Sequence, residues 1–266
     1  IYVYINLMAE NINEIKFADI EIFLNNLSKR KFKGKEGLSP KSKKKYLFLL
    51  RSFLRWAKLR KYRLDDPTEG IKSPKIAKRI GVALELEEAK QLLIASRTKE
   101  IKDIEGSFGR KWKQSFLPPE HLFLSILIGL HTGLRRGNIL GLKWRHLDLG
   151  KRKITISAEE MKSNADLEIP IHPELAEVLE AKLKSLGKLE PDSLVVGKSI
   201  YSFPTSFKTA LKRAGLPHMR FHDLRHTVST WLAVRFPQAI KDAMLGHAPR
   251  GVSGLYTHVP FEELKK

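Results

Sequence analysis

Apolar residues recur at helical spacing through most of this 266-residue chain, and two short stretches break that rhythm. Residues Lys153 to Ser157 (KITIS) and Leu167 to Ile171 (LEIPI) alternate with a period of two, as half-buried strands do. Ser163-Asn164-Ala165-Asp166 between them reads as a turn. The chain is therefore expected to be mainly α, with one small antiparallel β-sheet.

Ile20, Phe23, Leu24 and Leu27 predict an amphipathic helix from Phe17 to Lys31, with Asp19 as a cap. After a Gly-containing turn, Ser39-Pro40 supplies an N-cap and a first helical residue for a helix reaching about Arg60. Leu47, Leu50, Leu54 and Ala57 form its packing stripe. Lys44, Arg51, Arg55 and Lys58 fall in a narrow sector elsewhere on the cylinder and could follow a phosphate backbone or simply face water. Asp65-Asp66-Pro67 ends this pattern, a short helix is expected after it, and the stretch from Ser73 to Arg79, with Lys75, Lys78 and Arg79, reads as an exposed basic linker. Two domains follow, residues 1–74 and 83–266, joined by a linker at 75–82.

The second domain opens with a helix at Leu86 to Leu93 carrying acidic residues in its first turn, where the helix dipole favours them. From Thr98 to Pro119 periodicity is lost, and Gly106, Gly109 and Pro118-Pro119 predict a long loop containing Arg110, Lys111, Trp112 and Lys113. An apolar helix covers His121 to His131. Residues 173–187 and 202–215 also read as helix.

With 49 Lys and Arg against 29 Asp and Glu, the net charge is +20. Such an excess costs self-repulsion unless a polyanion is the partner, and nucleic acid converts it into affinity by counterion release. Cysteine is absent, which removes disulfides, thiolate metal sites and thiol nucleophiles and is consistent with a reducing compartment. The longest apolar run, Leu122 to Leu130, is far short of the ~20 residues that span a bilayer, and the N-terminus lacks a signal-peptide pattern, so a soluble cytoplasmic protein, not secreted, is expected. The first residue is not Met, which leaves room for a segment upstream.

The chemistry concentrates between His222 and Tyr256. A phenol ionises near pH ~10, so Tyr256 needs a neighbouring base and a cationic cradle before it can attack anything. His222 and His247 exchange protons near neutrality, and Arg225 offers a planar fork that fits two phosphate oxygens. His222-Asp223-Leu224-Arg225-His226, then Leu245-Gly246-His247, then Tyr256 nine positions on, joined by His131-Thr132-Gly133-Leu134-Arg135 upstream, resembles the signature of the tyrosine recombinases, the phage-type integrase family. The likeness is detailed over the catalytic half and general over the N-terminal part.

The resemblance implies a two-domain clamp around double-stranded DNA, with an integrase-type catalytic domain working as a tetramer on paired sites, a monomer remaining open as the free form. It implies Tyr256 as nucleophile, Arg135, Arg225 and His247 around the phosphate, His222 as general base and Lys162 as general acid. No cofactor or metal is implied. Where the family keeps an acidic residue three positions after the first arginine, this chain has Asn138, which supplies no charge.

Three rivals remain. His222, Asp223 and His226, with His218 nearby, read as a variant of a zinc-binding pattern, but Arg225 between the ligands is a permanent cation and Pro217 disfavours a continuous helix. A type IB topoisomerase or telomere resolvase would use the same cleavage chemistry. A recombinase-derived DNA-binding protein, weak or inactive in catalysis, would keep only the binding.

Overall fold

The computed structural model describes residues 11–29, 31–32, 35–77, 81–105, 111–116, 119–161, 165–197, 203–246 and 259–265. The chain divides into two compact units, residues 1–80 and 81–266.

In the first unit, helix α1 (Phe17–Lys29) ends two residues earlier than its periodicity suggests, because Lys31–Phe32 (β1) turns to pair antiparallel with Lys35–Glu36 (β2). Asp19 caps from within the first turn, accepting the Lys16 N–H at 2.8 Å. Helix α2 (Pro40–Leu59) begins as expected: Ser39 Oγ accepts the Ser42 N–H at 3.2 Å, and Pro40 occupies the first turn, where its missing N–H costs nothing. Leu47, Leu50, Leu54 and Ala57 are all buried, and the three leucines build a small core with Ile15, Ile20 and Ile71. A fully buried Leu contributes about 2 kcal/mol by leaving water, so this stripe holds the unit together. The short helix expected after Asp66-Pro67 is instead a turn. Asp66 Oδ1 accepts both the Thr68 N–H and its hydroxyl, and Gly70 at φ +84° sends the chain out of helical geometry.

The second unit has its own core, drawn from nearly every one of its helices and its sheet. Helix α3 (Leu86–Ala95) starts where Glu88 accepts the Glu85 N–H at 2.8 Å. The stretch expected to be a long loop is a β-hairpin: β3 (Glu100–Glu105) and β4 (Lys111–Phe116) pair antiparallel over six residues each. Charged residues at alternate and adjacent positions hide the period-two signal, and the backbone ladder forms regardless. Helix α4 (Glu120–Thr132) is buried along almost its whole length and packs on α8 (Asp223–Arg235). After it come the short α5 (Arg136–Leu140) and a three-stranded antiparallel sheet. The two anticipated strands, β6 (Lys153–Ile156) and β7 (Leu167–Pro170), pair with Ile154 opposite Ile169. Leu147–Asp148 (β5) adds an edge too short to show a pattern. Helices α6 (Pro173–Ser185) and α7 (Phe203–Arg213) precede α8, and α9 (Gln238–Leu245) and α10 (Phe261–Leu264) follow it. No described helix is long and apolar enough to cross a membrane.

Candidate active site

Three chain segments meet around Arg225: the turn between α4 and α5, the first turns of α8, and the end of α9. Leu224 and Phe221 pack toward Gly129 of α4, at a spot where a Cβ would stand 3.4 Å from Leu224 Cδ1, so α8 starts close against α4. Gly133 ends α4 with φ +63°, and a side chain there would meet Leu245 Cδ2 at 2.5 Å. Glycine thus serves twice, once for the left-handed turn and once to let α9 approach. Thr132 secures the turn by accepting the Leu134 N–H at 3.2 Å, a contact without a sequence signal.

This turn delivers Arg135 to the residue preceding α5, although α5 has five residues and a correspondingly small dipole. Arg225 is buried. Its guanidinium donates to the Gly133 carbonyl at 2.9 Å and to the Leu245 carbonyl at 2.6 Å, and so ties the α4–α5 turn to the end of α9. Burial first and the nearby charge of Arg135 second pull its pKa down to about 10. Nη1 of Arg135 is buried and finds no hydrogen-bond partner among the described residues. Two guanidiniums therefore stand near one another with no carboxylate bonded to either among the described residues. A site of this kind is unfavourable until an anion enters, and it favours an anion whose charge grows during reaction.

His222 precedes α8 and is exposed, with its ring 5.4 Å from that of His226 in edge-on contact. Burial, then the charges of His226 and Arg225, hold its pKa below the ordinary histidine value, so it is neutral and able to accept a proton at pH 7. Asp223 is not available as a metal ligand. Arg220 holds it through its backbone N–H at 2.8 Å and through Nη2 at 2.7 Å, and these contacts outweigh burial and leave the carboxyl more acidic than usual. The zinc-type reading of His222, Asp223 and His226 accordingly gains no support.

Asn138 does not hold Arg135 by any described contact. Its amide donates to Met161 Sδ at 2.7 Å, and Met161 is buried beside Gly246, where an added Cβ would stand 3.4 Å from the methionine methyl. Met161 immediately precedes Lys162. Lys162, His247 and Tyr256 lie outside the described residues, as do Lys78 and Arg79.

In the first unit Lys44, Arg55 and Lys58 are exposed on α2, and Lys75 is exposed beyond it. Arg55 stands 3.9 Å from Asp66 and Lys58 3.4 Å from Glu69. Arg51 also has a structural contact: it donates to Ser73 Oγ at 3.1 Å and to the Ile71 carbonyl, and so fastens α2 to the following loop. The buried Arg63, which pattern reading passed over, donates to the Ile12 and Ile15 carbonyls at 2.8 and 3.2 Å and closes the unit's other end.

The sequence model of the phage integrase family matches residues 83–263. An integrase of Salmonella phage P22 is 37% identical over 115 residues, 39% of this chain and 30% of that protein. A tyrosine recombinase of Pseudothermotoga lettingae is 28% identical over 263 residues, 94% of this chain and 82% of that protein. Among solved structures, the Tn1549 transposon integrase in complex with a circular intermediate DNA superposes with a TM-score of 0.67 at 17% identity, covering 96% of this chain and 85% of that one. A lambda integrase dimer bound to a core site gives 0.63 at 19% identity, covering 91% and 78%. At these identities the structural matches establish the fold.

Proposed function

The chain belongs to the phage integrase family, whose members cut and rejoin DNA strands, and from that premise we propose that it is a site-specific recombinase acting through Tyr256. The observation that carries the reading is the Arg135–Arg225 pair, with Arg225 and Arg135 Nη1 buried and no carboxylate bonded to either among the described residues, at the meeting point of α4, α8 and α9. Attack on a phosphodiester passes through five-coordinate phosphorus with extra negative charge, and donors already fixed around it lower the barrier without reorganising.

In this mechanism the Tyr256 oxygen bonds to phosphorus as the bond to the 5′ oxygen breaks. His222, neutral at pH 7, takes the phenolic proton. Lys162 gives a proton to the departing 5′ oxygen, and His247 joins the arginines around the phosphate. The 3′-phosphotyrosyl link conserves the bond energy until a 5′ hydroxyl of another strand attacks it. The reaction as written consumes neither ATP nor a metal.

Double-stranded DNA is the partner, and a tetramer on paired sites supplies the four cleavages of a full exchange. Residues 1–74 act as the DNA-binding domain, with Lys44, Arg51, Arg55, Lys58 and Lys75 toward phosphates. Lys78 and Arg79 belong to a linker over 75–82, and residues 83–266 form the catalytic domain. Lambda and Tn1549 integrases were solved on DNA, lambda integrase also as a tetramer on a Holliday junction, which supports this arrangement.

Mass spectrometry tests the nucleophile. After reaction with nicked duplex and nuclease trimming, the nucleotide mass should sit on the peptide containing Tyr256; a nucleotide on a serine or on another tyrosine would refute the assignment.

A further inference from the structure

Away from the arginine pair, the end of α4 and the start of α6 bring together two imidazoles and a carboxylate that the recombination chemistry does not use. His131 lies one residue before the end of α4 and is largely buried, with its side chain 19% exposed. His172 is the N-cap of α6, and Glu174 is in its first turn. His131 Nε2 stands 3.4 Å from Glu174 Oε2, the two imidazole rings are 4.7 Å apart, and one ligand atom from each residue lies within 4.8 Å of the others. We infer that His131, His172 and Glu174 form a binding site for a divalent transition metal of the zinc type.

Several observations carry this. Two imidazoles and a carboxylate are the donor set that zinc and its neighbours prefer, at bonds of ~2.0–2.2 Å. Ligands at such bond lengths around a tetrahedral ion stand ~3.3–3.5 Å apart, and the His131–Glu174 pair already has that separation. Only the third ligand must move. The rings are nearly parallel, 17° between planes, so the exposed His172 has to turn out of its stack for its lone pair to converge with the others. Its present tie is the cap contact, in which Nδ1 accepts the Glu174 N–H at 3.3 Å, a long bond and a weak competitor for a metal.

Room for water as the remaining ligands exists. His131 and His172 line a cavity of about 830 Å³ between α4, the sheet and α10. Cations also line it, which would oppose metal binding, yet three of them are already matched: Lys151 with Asp148 at 3.6 Å, Lys153 with Glu168 at 2.6 Å and Lys265 with Glu262 at 2.8 Å. Arg152 remains, so the site should bind more weakly than closed four-ligand zinc sites. Bound metal would fasten the end of α4, four residues before Arg135, to the start of α6. The site is structural and separate from strand cleavage.

Cobalt(II) chloride titrated into the untagged full chain, followed by visible absorption and then displaced by zinc, tests the inference. The expected result is one equivalent with the intense bands of a low-coordinate cobalt ion, together with a rise in melting temperature on adding zinc. His172→Ala and Glu174→Gln, both at exposed positions, should weaken binding by about tenfold or more and abolish that rise. His226→Ala, from the other histidine pair, should leave both unchanged. Absence of a saturable equivalent, or an equivalent lost with His226→Ala and kept with His172→Ala, would overturn the site. None of these readouts depends on strand cleavage, so the recombinase reading stands or falls apart from them.

Discussion

Arg225 joins structure and chemistry in one side chain. Its guanidinium satisfies two carbonyls that are otherwise at risk of burial without partners, and in the proposed mechanism it also contributes charge toward the phosphate. Arg225→Ala should therefore lower strand cleavage by roughly 10²–10³, as loss of a fixed transition-state donor does, and destabilise the fold by about 1–3 kcal/mol through the orphaned carbonyls. Single-turnover cleavage and denaturant melts would show both. Asn138→Asp asks a complementary question. A carboxylate three positions after Arg135 gives its unpartnered Nη1 an acceptor, and cleavage should rise by roughly tenfold, the scale of one charge-assisted hydrogen bond. An unchanged or lower rate in the same single-turnover measurement would mean that the Asn138–Met161 contact matters more than charge. As the proposed general base, His222 should set the pH dependence. Its folded pKa lies below the ordinary histidine value, so cleavage should hold level at pH 7 and above and decline as pH falls through that lowered pKa. The stability sign agrees. The unfolded chain binds the proton more readily, so His222 costs nothing above the unfolded pKa of ~6.5 and destabilises progressively as pH drops beneath it. Melts across that range would register the trend.

At the scale of elements, the α4–α5 turn decides whether the two arginines face one anion. Gly133→Ala combines a left-handed φ with a Cβ only 2.5 Å from Leu245 Cδ2. It should cost about 1–3 kcal/mol and separate α4 from α9, and a thermal melt beside Gly137→Ala, where a Cβ meets nothing within 4 Å, isolates the effect. Much of this layer was legible in the sequence because local residues enforce it: Ser39-Pro40 starts α2, the apolar run from His121 to His131 forms most of α4, and KITIS and LEIPI pair as read. What escaped reading depends on partners far along the chain. The β3–β4 hairpin forms through backbone pairing beneath an unpatterned charged sequence, and β5 is two residues long. Arg51 resembled the other cations of α2 in spacing, but its structural contact is set by the Ile71 carbonyl twenty residues on. The tie from Arg225 to Gly133 spans ninety-two residues, a distance no periodicity encodes.

At the scale of the whole molecule, a net charge of +20 is spread over both compact units, and its use is affinity for phosphate. DNA binding should weaken steeply with salt, with a logarithmic slope of about −4 or steeper, as for a protein neutralising five or more phosphates. Replacing Lys44 and Arg55 together should flatten that slope by about two, while Arg51→Ala should lower stability as well as flatten the slope, because its guanidinium ties α2 to the Ile71 carbonyl and Ser73 without losing its charge. The central claim is that Tyr256 forms a covalent link to DNA without a metal. The most direct test incubates wild type and Tyr256→Phe, with EDTA present, with a pool of nicked duplexes of randomised core sequence, and then resolves the products on a denaturing gel. The account predicts a protein–DNA adduct from wild type that EDTA does not diminish and that Tyr256→Phe never forms. Tight binding by wild type without an adduct, or an adduct that survives in Tyr256→Phe, would contradict it.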